Sequence, residues 1–178
     1  MKALKFLSTI VVLTLFGCAS TSAVLSEFDE SIDFDNYTTY VLCIDDLFVE
    51  NTNYPNYDNN QVRAMIGDAI EIEMESKGHK TNVLNPELQA GFRLIVQEKE
   101  ATFTNCEQES EYGYWKECTI DTTIYTEETL VLYVSDIKKN QVIWQASLTC
   151  DLNRSKAKIE AYVNELVEKV FNEYPKVR

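Results

Sequence analysis

The sequence predicts an α+β fold: a two-layer sandwich in which a mainly antiparallel sheet of four to five strands carries two helices packed on one face. Two stretches place apolar residues every three or four positions, and runs of β-branched and aromatic residues precede and separate them. Their order is one strand, one helix, several strands in hairpin succession and a closing helix. That order puts the sheet in the middle of a single domain.

Phe34 to Ile44 (FDNYTTYVLCI) is aromatic and β-branched and reads as the first strand, stopped by Asp45-Asp46. Residues 51–60 (NTNYPNYDNN) are turn formers, and Asp58 or an asparagine beside it can cap the next helix. There Val62, Met65, Ile66, Ala69, Ile70 and Met74 form one apolar stripe, which Gly78 ends as a C-terminal glycine. Phe92, Leu94 and Val96 alternate with Arg93, Ile95 and Gln97, giving one long or bent strand from Gly91 to Thr104. Thr119 to Thr126 is its expected antiparallel partner, across the acidic and aromatic stretch Glu107–Glu117. Thr129–Ser135 and Gln141–Leu148 then form a hairpin with a five-residue connection, Asp136–Asn140. The closing helix, Ser155 to Tyr174, puts Ile159, Tyr162, Val163, Leu166, Val167, Val170, Phe171 and Tyr174 on one face, and Pro175 terminates it. On the open side of the sheet, Arg93, Ile95, Gln97, Val131 and Tyr133 decide between a polar lawn and a docking surface.

The N-terminus supplies an address. Lys2 and Lys5 precede a short apolar run, Phe6 to Phe16, and Gly17 is a small residue directly before Cys18. This pattern resembles a bacterial lipoprotein signal with its lipobox, in which Cys18 receives the lipid. The run is shorter than the ~20 residues a membrane-spanning helix needs. An ordinary secretory signal, cut within Ala19–Ala23, is the alternative. The expected parts are a signal peptide over residues 1–17, a lipidated tether over 18–33 and one domain over 34–178. Ala19-Ser20, with no acid directly after the cysteine, resembles the default that sorts lipoproteins to the outer membrane, facing the periplasm.

Composition narrows the partners. The formal charge is −13, and removing residues 1–17 with their two lysines leaves −15. Such a domain is repelled by nucleic acid and anionic lipid, so no nucleic-acid partner is expected. The membrane, reached through the N-terminal lipid, and other envelope proteins remain. Cys43, Cys106, Cys118 and Cys150 stay once Cys18 is set aside. Their even number in an oxidising compartment suggests disulfides, with Cys106–Cys118 and Cys43–Cys150 the favoured pairing among three connectivities. The first would close a loop worth ~3 kcal/mol in the chain-entropy account. Free, buried thiols are the alternative.

No constellation for chemistry is evident, so no catalytic residue, metal or cofactor is expected. G-x-S-x-G, H-E-x-x-H and glycine-rich phosphate loops are absent, and His79 is the one histidine. Asp45 and Asp46 are adjacent, which in a strand would point them to opposite faces. Residues 51–60 lack the D-x-[DN]-x-[DN]-G pattern of a calcium loop.

The order of these segments and their local spellings together resemble the uncharacterised bacterial lipoprotein family called domain of unknown function 4136. The marks are Phe34-x-x-Tyr37-x-Thr39-Tyr40, Ala69-Ile70 through Lys77-Gly78, and Asn85-Pro86 before Phe92–Val96. Thr129–Leu132 with Asp136, Val142–Ser147, and Val170-Phe171 before Tyr174-Pro175 complete them. His79 stands where the family usually has an aromatic, and Ala146 where it often has glycine. The resemblance implies a lipidated envelope protein and brings no catalytic residues. The expected function is therefore a membrane-anchored, non-enzymatic structural or interaction module. The alternative is a small-molecule or peptide binding lipoprotein. It would use the open sheet face or Tyr112, Tyr114 and Trp115 of the loop over 107–117, where aromatics beside acids suit stacking and cation–π contact.

Overall fold

A computed structural model describes residues 23–49, 53–107 and 117–175. Six strands form one open, mixed sheet: β1 (Leu25–Phe28), β2 (Thr39–Leu42), β3 (Lys80–Thr81), β4 (Leu88–Glu107), β5 (Glu117–Asp136) and β6 (Gln141–Cys150). Their spatial order is β1-β6-β5-β4-β2-β3. The β1/β6, β6/β5 and β5/β4 pairs are antiparallel, whereas β4/β2 and β2/β3 are parallel. The expectation of a mainly antiparallel sheet of four to five strands is corrected accordingly. A helical crossover between β2 and β4 makes their pairing parallel, since a hairpin connection could not.

Helix α1 spans Asn60–Ser76 and α2 spans Lys156–Phe171. The Asn59 side chain accepts the Val62 N–H and caps α1. Gly78 ends the turn at φ 95°, a conformation open to glycine. Both apolar stripes are buried as expected, through Val62, Ile66, Ala69, Ile70 and Met74 on α1, and through Ile159, Val163, Leu166, Val167, Val170 and Phe171 on α2. They meet one face of the sheet, where Ala90, Phe92, Leu130, Leu132, Val134, Trp144, Ala146 and Leu148 are also buried. Period-two alternation puts these residues on a common side.

Several expectations are overturned. Residues 25–28 are not tether but an edge strand, with Trp144 Nε1 donating to Ser26 Oγ at 3.2 Å. Four residues are too few to show a period, and it is β6 that gives them a ladder. The segment read as one strand from Phe34 is a 3-10 turn over Phe34–Asn36, the short β2, and a second 3-10 turn over Ile44–Leu47. Asp33 Oδ1 caps the first of these turns through the Asp35 N–H. Residues 119–126 and 129–135 belong to one twenty-residue strand, β5, which pairs with β4 along its whole length. The apparent break at Glu127-Glu128 marks instead where β6 leaves the sheet. Glu128 is buried and its Oε2 accepts the Leu152 N–H at 2.5 Å. Asp136 is the last residue of β5, so the hairpin connection is four residues, 137–140, with Asn140 at φ 52°. A bulge between Val134 and Ser135 lets both Ile143 and Trp144 be buried, against strict alternation.

Candidate functional site

The face of the sheet turned away from the helices has no covering layer among the described residues. Gln89, Gly91, Arg93 and Ile95 of β4 share it with Val131 and Tyr133 of β5, Gln145 and Ser147 of β6, and Leu25 of β1. Leu25 is 71 % and Ile95 46 % exposed, while Val131 and Tyr133 are half-buried. A shallow depression of about 220 Å³ lies among Leu25, Glu27, Val131, Gln145 and Ser147. The positions singled out by alternation thus form a mixed surface, with an aliphatic and aromatic strip crossed by Arg93 and Gln145.

One corner of this face is locked. Asp46 Oδ2 accepts the Tyr133 hydroxyl at 2.7 Å and the Phe92 N–H at 2.9 Å. It thereby satisfies the β4 edge where β2 has turned away. Gly91 makes this possible, because a Cβ there would stand 2.4 Å from both Asp46 Oδ2 and the Tyr133 hydroxyl. Burial raises the Tyr133 hydroxyl far above its ordinary value, and the bond to Asp46 adds to the shift. Asp46 lies in a 3-10 turn rather than a strand, and its role depends on contacts 46 and 87 residues away in sequence.

At the other end of the sheet, a volume of about 390 Å³ is bordered by Tyr37, Asn85, Pro86, Glu87, Asp136 and Ile137. Its carboxylates are engaged. Asp136 accepts the Tyr37 hydroxyl at 2.8 Å and the Lys139 N–H at 3.0 Å. Glu87 accepts the N–H groups of Thr38 and Thr39 at 2.8 and 3.0 Å, and both hydroxyls at 3.1 Å. These N–H donors hold the Glu87 carboxyl below its ordinary value.

His79 is 1 % exposed and sits behind this volume. Its Nδ1 lies 3.1 Å from the Tyr37 carbonyl, which accepts, so Nδ1 carries the proton; Nε2 then accepts from the Tyr174 hydroxyl at 3.1 Å. Burial lowers the imidazole below its ordinary 6.5, outweighing the Tyr37 carbonyl and the Glu87 charge, which raise it. The unfolded chain therefore takes up this proton first as acid is added. His79 contributes full stability above about pH 6.5, and the contribution falls as pH drops from there toward the depressed native value. Urea midpoints are expected to fall between about pH 7 and pH 5.5, and His79→Gln is expected to flatten that slope.

The cysteines divide. Cys106 and Cys118 are Cα partners directly across the β4–β5 ladder, the register the expected disulfide requires. Cys43 and Cys150 are free thiols, so the pairing expected between them is not formed. Cys43 follows β2 and bonds back to Ala90, whereas Cys150 pairs with Glu128, opposite Val96. Two strands and six residues of ladder separate the two, and three strand spacings alone exceed the ~7 Å limit for a disulfide. Burial pushes the Cys150 thiol up to about 12, with the Glu128 charge adding to it. Cys18, Tyr112, Tyr114 and Trp115 lie outside the described residues.

Comparisons place the fold. A DUF4136 family protein from Bacteroides thetaiotaomicron VPI-5482 aligns over 89 % of this chain and 98 % of its own, at 18 % identity and a TM-score of 0.56. A PDZ domain protein from Parabacteroides distasonis ATCC 8503 aligns over 96 % of this chain at 13 % identity and a TM-score of 0.52. The chain spans 40 % of that protein's length. At these identities the likeness is one of fold. No curated protein matches the chain. The sequence pattern of one family, described as a domain of unknown function (DUF4136), matches residues 24–176, and the chain belongs to that family.

Proposed function

We propose that this chain is a lipid-anchored, non-enzymatic interaction module of the bacterial envelope, tethered at Cys18 in the outer membrane and facing the periplasm. The observation that carries the reading is the uncovered sheet face, where Leu25, Ile95, Val131 and Tyr133 lie opposite a fully packed helical layer. The chemistry around it agrees. Asp46, Glu87, Glu128 and Asp136 each hold backbone N–H groups, two of them a tyrosine hydroxyl as well. Such carboxylates fasten loops and strand edges. The apolar strip interrupted by Arg93 and Gln145 resembles the core-and-rim composition of transient protein interfaces.

Two measurements test this. Mass spectrometry of the mature chain is expected to find Cys18 as an acylated N-terminus; an unmodified terminus would remove the anchor. A photo-crosslinking residue at Val131 is expected to give a discrete adduct in intact envelopes, and one at Lys158 on exposed α2 is expected to give none. Equal labelling at both positions would sink the open face as the contact surface.

A further inference from the structure

Beyond the six-stranded body, β4 and β5 continue alone as a two-stranded arm. β2 pairs with β4 only up to Ala90 and β6 with β5 only from Glu128, yet the β4–β5 ladder runs on to Glu107 and Glu117. The arm exposes large apolar side chains on both faces: Phe103 at 58 % and Tyr125 at 44 % on one, Ile120 at 71 % and Ile124 at 61 % on the other. A lone two-stranded ribbon is marginal in water, and no layer among the described residues buries these side chains. Across the paired rows 101–104 and 120–123, Asp121 is the one charged residue, and Glu100 stands at the edge of this stretch opposite Ile124. The middle of the arm is thus close to neutral on a strongly acidic chain.

The direction of the arm identifies what it meets. Leu25 stands in the same row as Ser147, Val131 and Arg93, and Phe28 in the row of Trp144, Val134 and Ala90. Followed back toward the N-terminus, β1 therefore leaves the body at the end from which the arm projects. Cys18 is seven residues before Leu25, a reach of at most ~25 Å when fully extended. The arm runs fourteen residues past that row, ~45 Å at the usual strand rise. An acyl group at Cys18 would hold this end of the sheet close to lipid. The arm points the same way and is nearly twice as long, so with the tether continuing along the direction of β1 it reaches the surface.

We propose that the neutral middle of the β4–β5 arm docks on the membrane that holds the chain, seating Phe103, Ile120, Ile124 and Tyr125 in the interface. The inference rests on acylation at Cys18, and it deepens the interaction-module reading by assigning the arm to lipid while the sheet face stays free. The flanking acids Glu98 and Glu100 remain in water and set the depth, as charged residues do beside interfacial segments. Interfacial seating puts the apolar side chains ~5–10 Å into the headgroup boundary.

The test uses the full lipidated chain in phosphatidylcholine vesicles with brominated acyl chains, which quench tryptophan on contact. In a Trp115→Phe background, with buried Trp144 as constant emission, Phe103→Trp is expected to lose more than about half of its added emission, as depth of this order requires. Leu84→Trp, in the exposed loop before β4 at the opposite end of the sheet, is expected to lose none. If the chain is acylated and floats with the vesicles but Trp at 103 keeps its emission, the inference is overturned and the anchor stands. Equal quenching at 84 and 103 also overturns it, because the docking would have no direction. A chain that carries no acyl group and does not float overturns the anchor and this inference together.

Discussion

Trp144→Ala is expected to destabilise the domain by about 3–5 kcal/mol, the range for removing a large buried aromatic. The indole is 1 % exposed and sits at the seam of three elements. Its ring lies 5.2 Å from Phe171 and 5.0 Å from Tyr174, centroid to centroid, the latter edge-on. Its Nε1 donates to Ser26 on β1. The rings around it are held from several sides, Tyr174 by Phe34 and by the His79 bond, so they cannot collapse into the vacancy. The loss reads directly as a lower urea midpoint. Amide exchange adds a second readout: β1 is joined to β6 by side chains through Trp144–Ser26 and Gln145–Glu27, and the variant removes the first, so β1 amides are expected to lose protection before those of β5. Trp144→Phe keeps a ring against Phe171 and is expected to cost less than half as much. Equal costs for the two variants would show that ring packing against Phe171 contributes little and that the full indole with its Nε1 bond to Ser26 carries the stability.

Arg63→Met is expected to cost about 3–5 kcal/mol, because it leaves a carboxylate buried without its partner. Arg63 Nε and Nη2 hold Asp58 Oδ1 and Oδ2 at 2.6 and 2.9 Å, a two-pronged pair with side-chain exposures of 14 % and 10 %. Its Nη1 donates to the Asp46 carbonyl at 2.6 Å, and its guanidinium lies 5.7 Å from the centre of the Phe92 ring. One side chain thus ties the loop before α1 to the turn that presents Asp46 to Tyr133. The penalty comes from the stranded acid more than from the lost attraction. Arg63→Met combined with Asp58→Leu is therefore expected to recover most of the loss. A double-mutant cycle in urea checks this, and strict additivity of the two changes would refute the coupling. Because Asp46 is held at one remove, fluorescence from a reporter at Ile95 is expected to report loosening of the open face in Arg63→Met alone.

Legibility followed the length over which a pattern could repeat. Both helices are legible because sixteen or seventeen residues give an apolar stripe four turns to declare itself; Asn59 caps α1 as an expected residue type, whereas α2 ends at Phe171, short of the expected Tyr174. The open face is legible for the same reason, since alternation along β4 and β5 by itself singles out Arg93, Ile95, Gln97, Val131 and Tyr133. β1 was hidden, because Leu25-Ser26-Glu27-Phe28 contains two apolar residues at its ends and no turn signal. β5 was cut in two at Glu127-Glu128, since a buried acid in mid-strand is intelligible only beside the Leu152 N–H that it binds. The disulfide reading split likewise. The register across β4 and β5 puts Cys106 opposite Cys118 along the backbone, while the strand order separates Cys43 from Cys150.

Local periodicity, caps and turn residues, which act over a few residues and need no partner, determined the helices, the long hairpins and which side chains share a face. Strand order, the parallel β2, the edge strand β1 and the fastening of Tyr133 by Asp46 were decided only in the folded chain. Those features depend on hydrogen bonds between groups tens of residues apart, and such bonds leave no repeating trace along the sequence. The same holds for the arm: its alternation was written locally, but that it points where the tether leaves the sheet is a property of the assembled register.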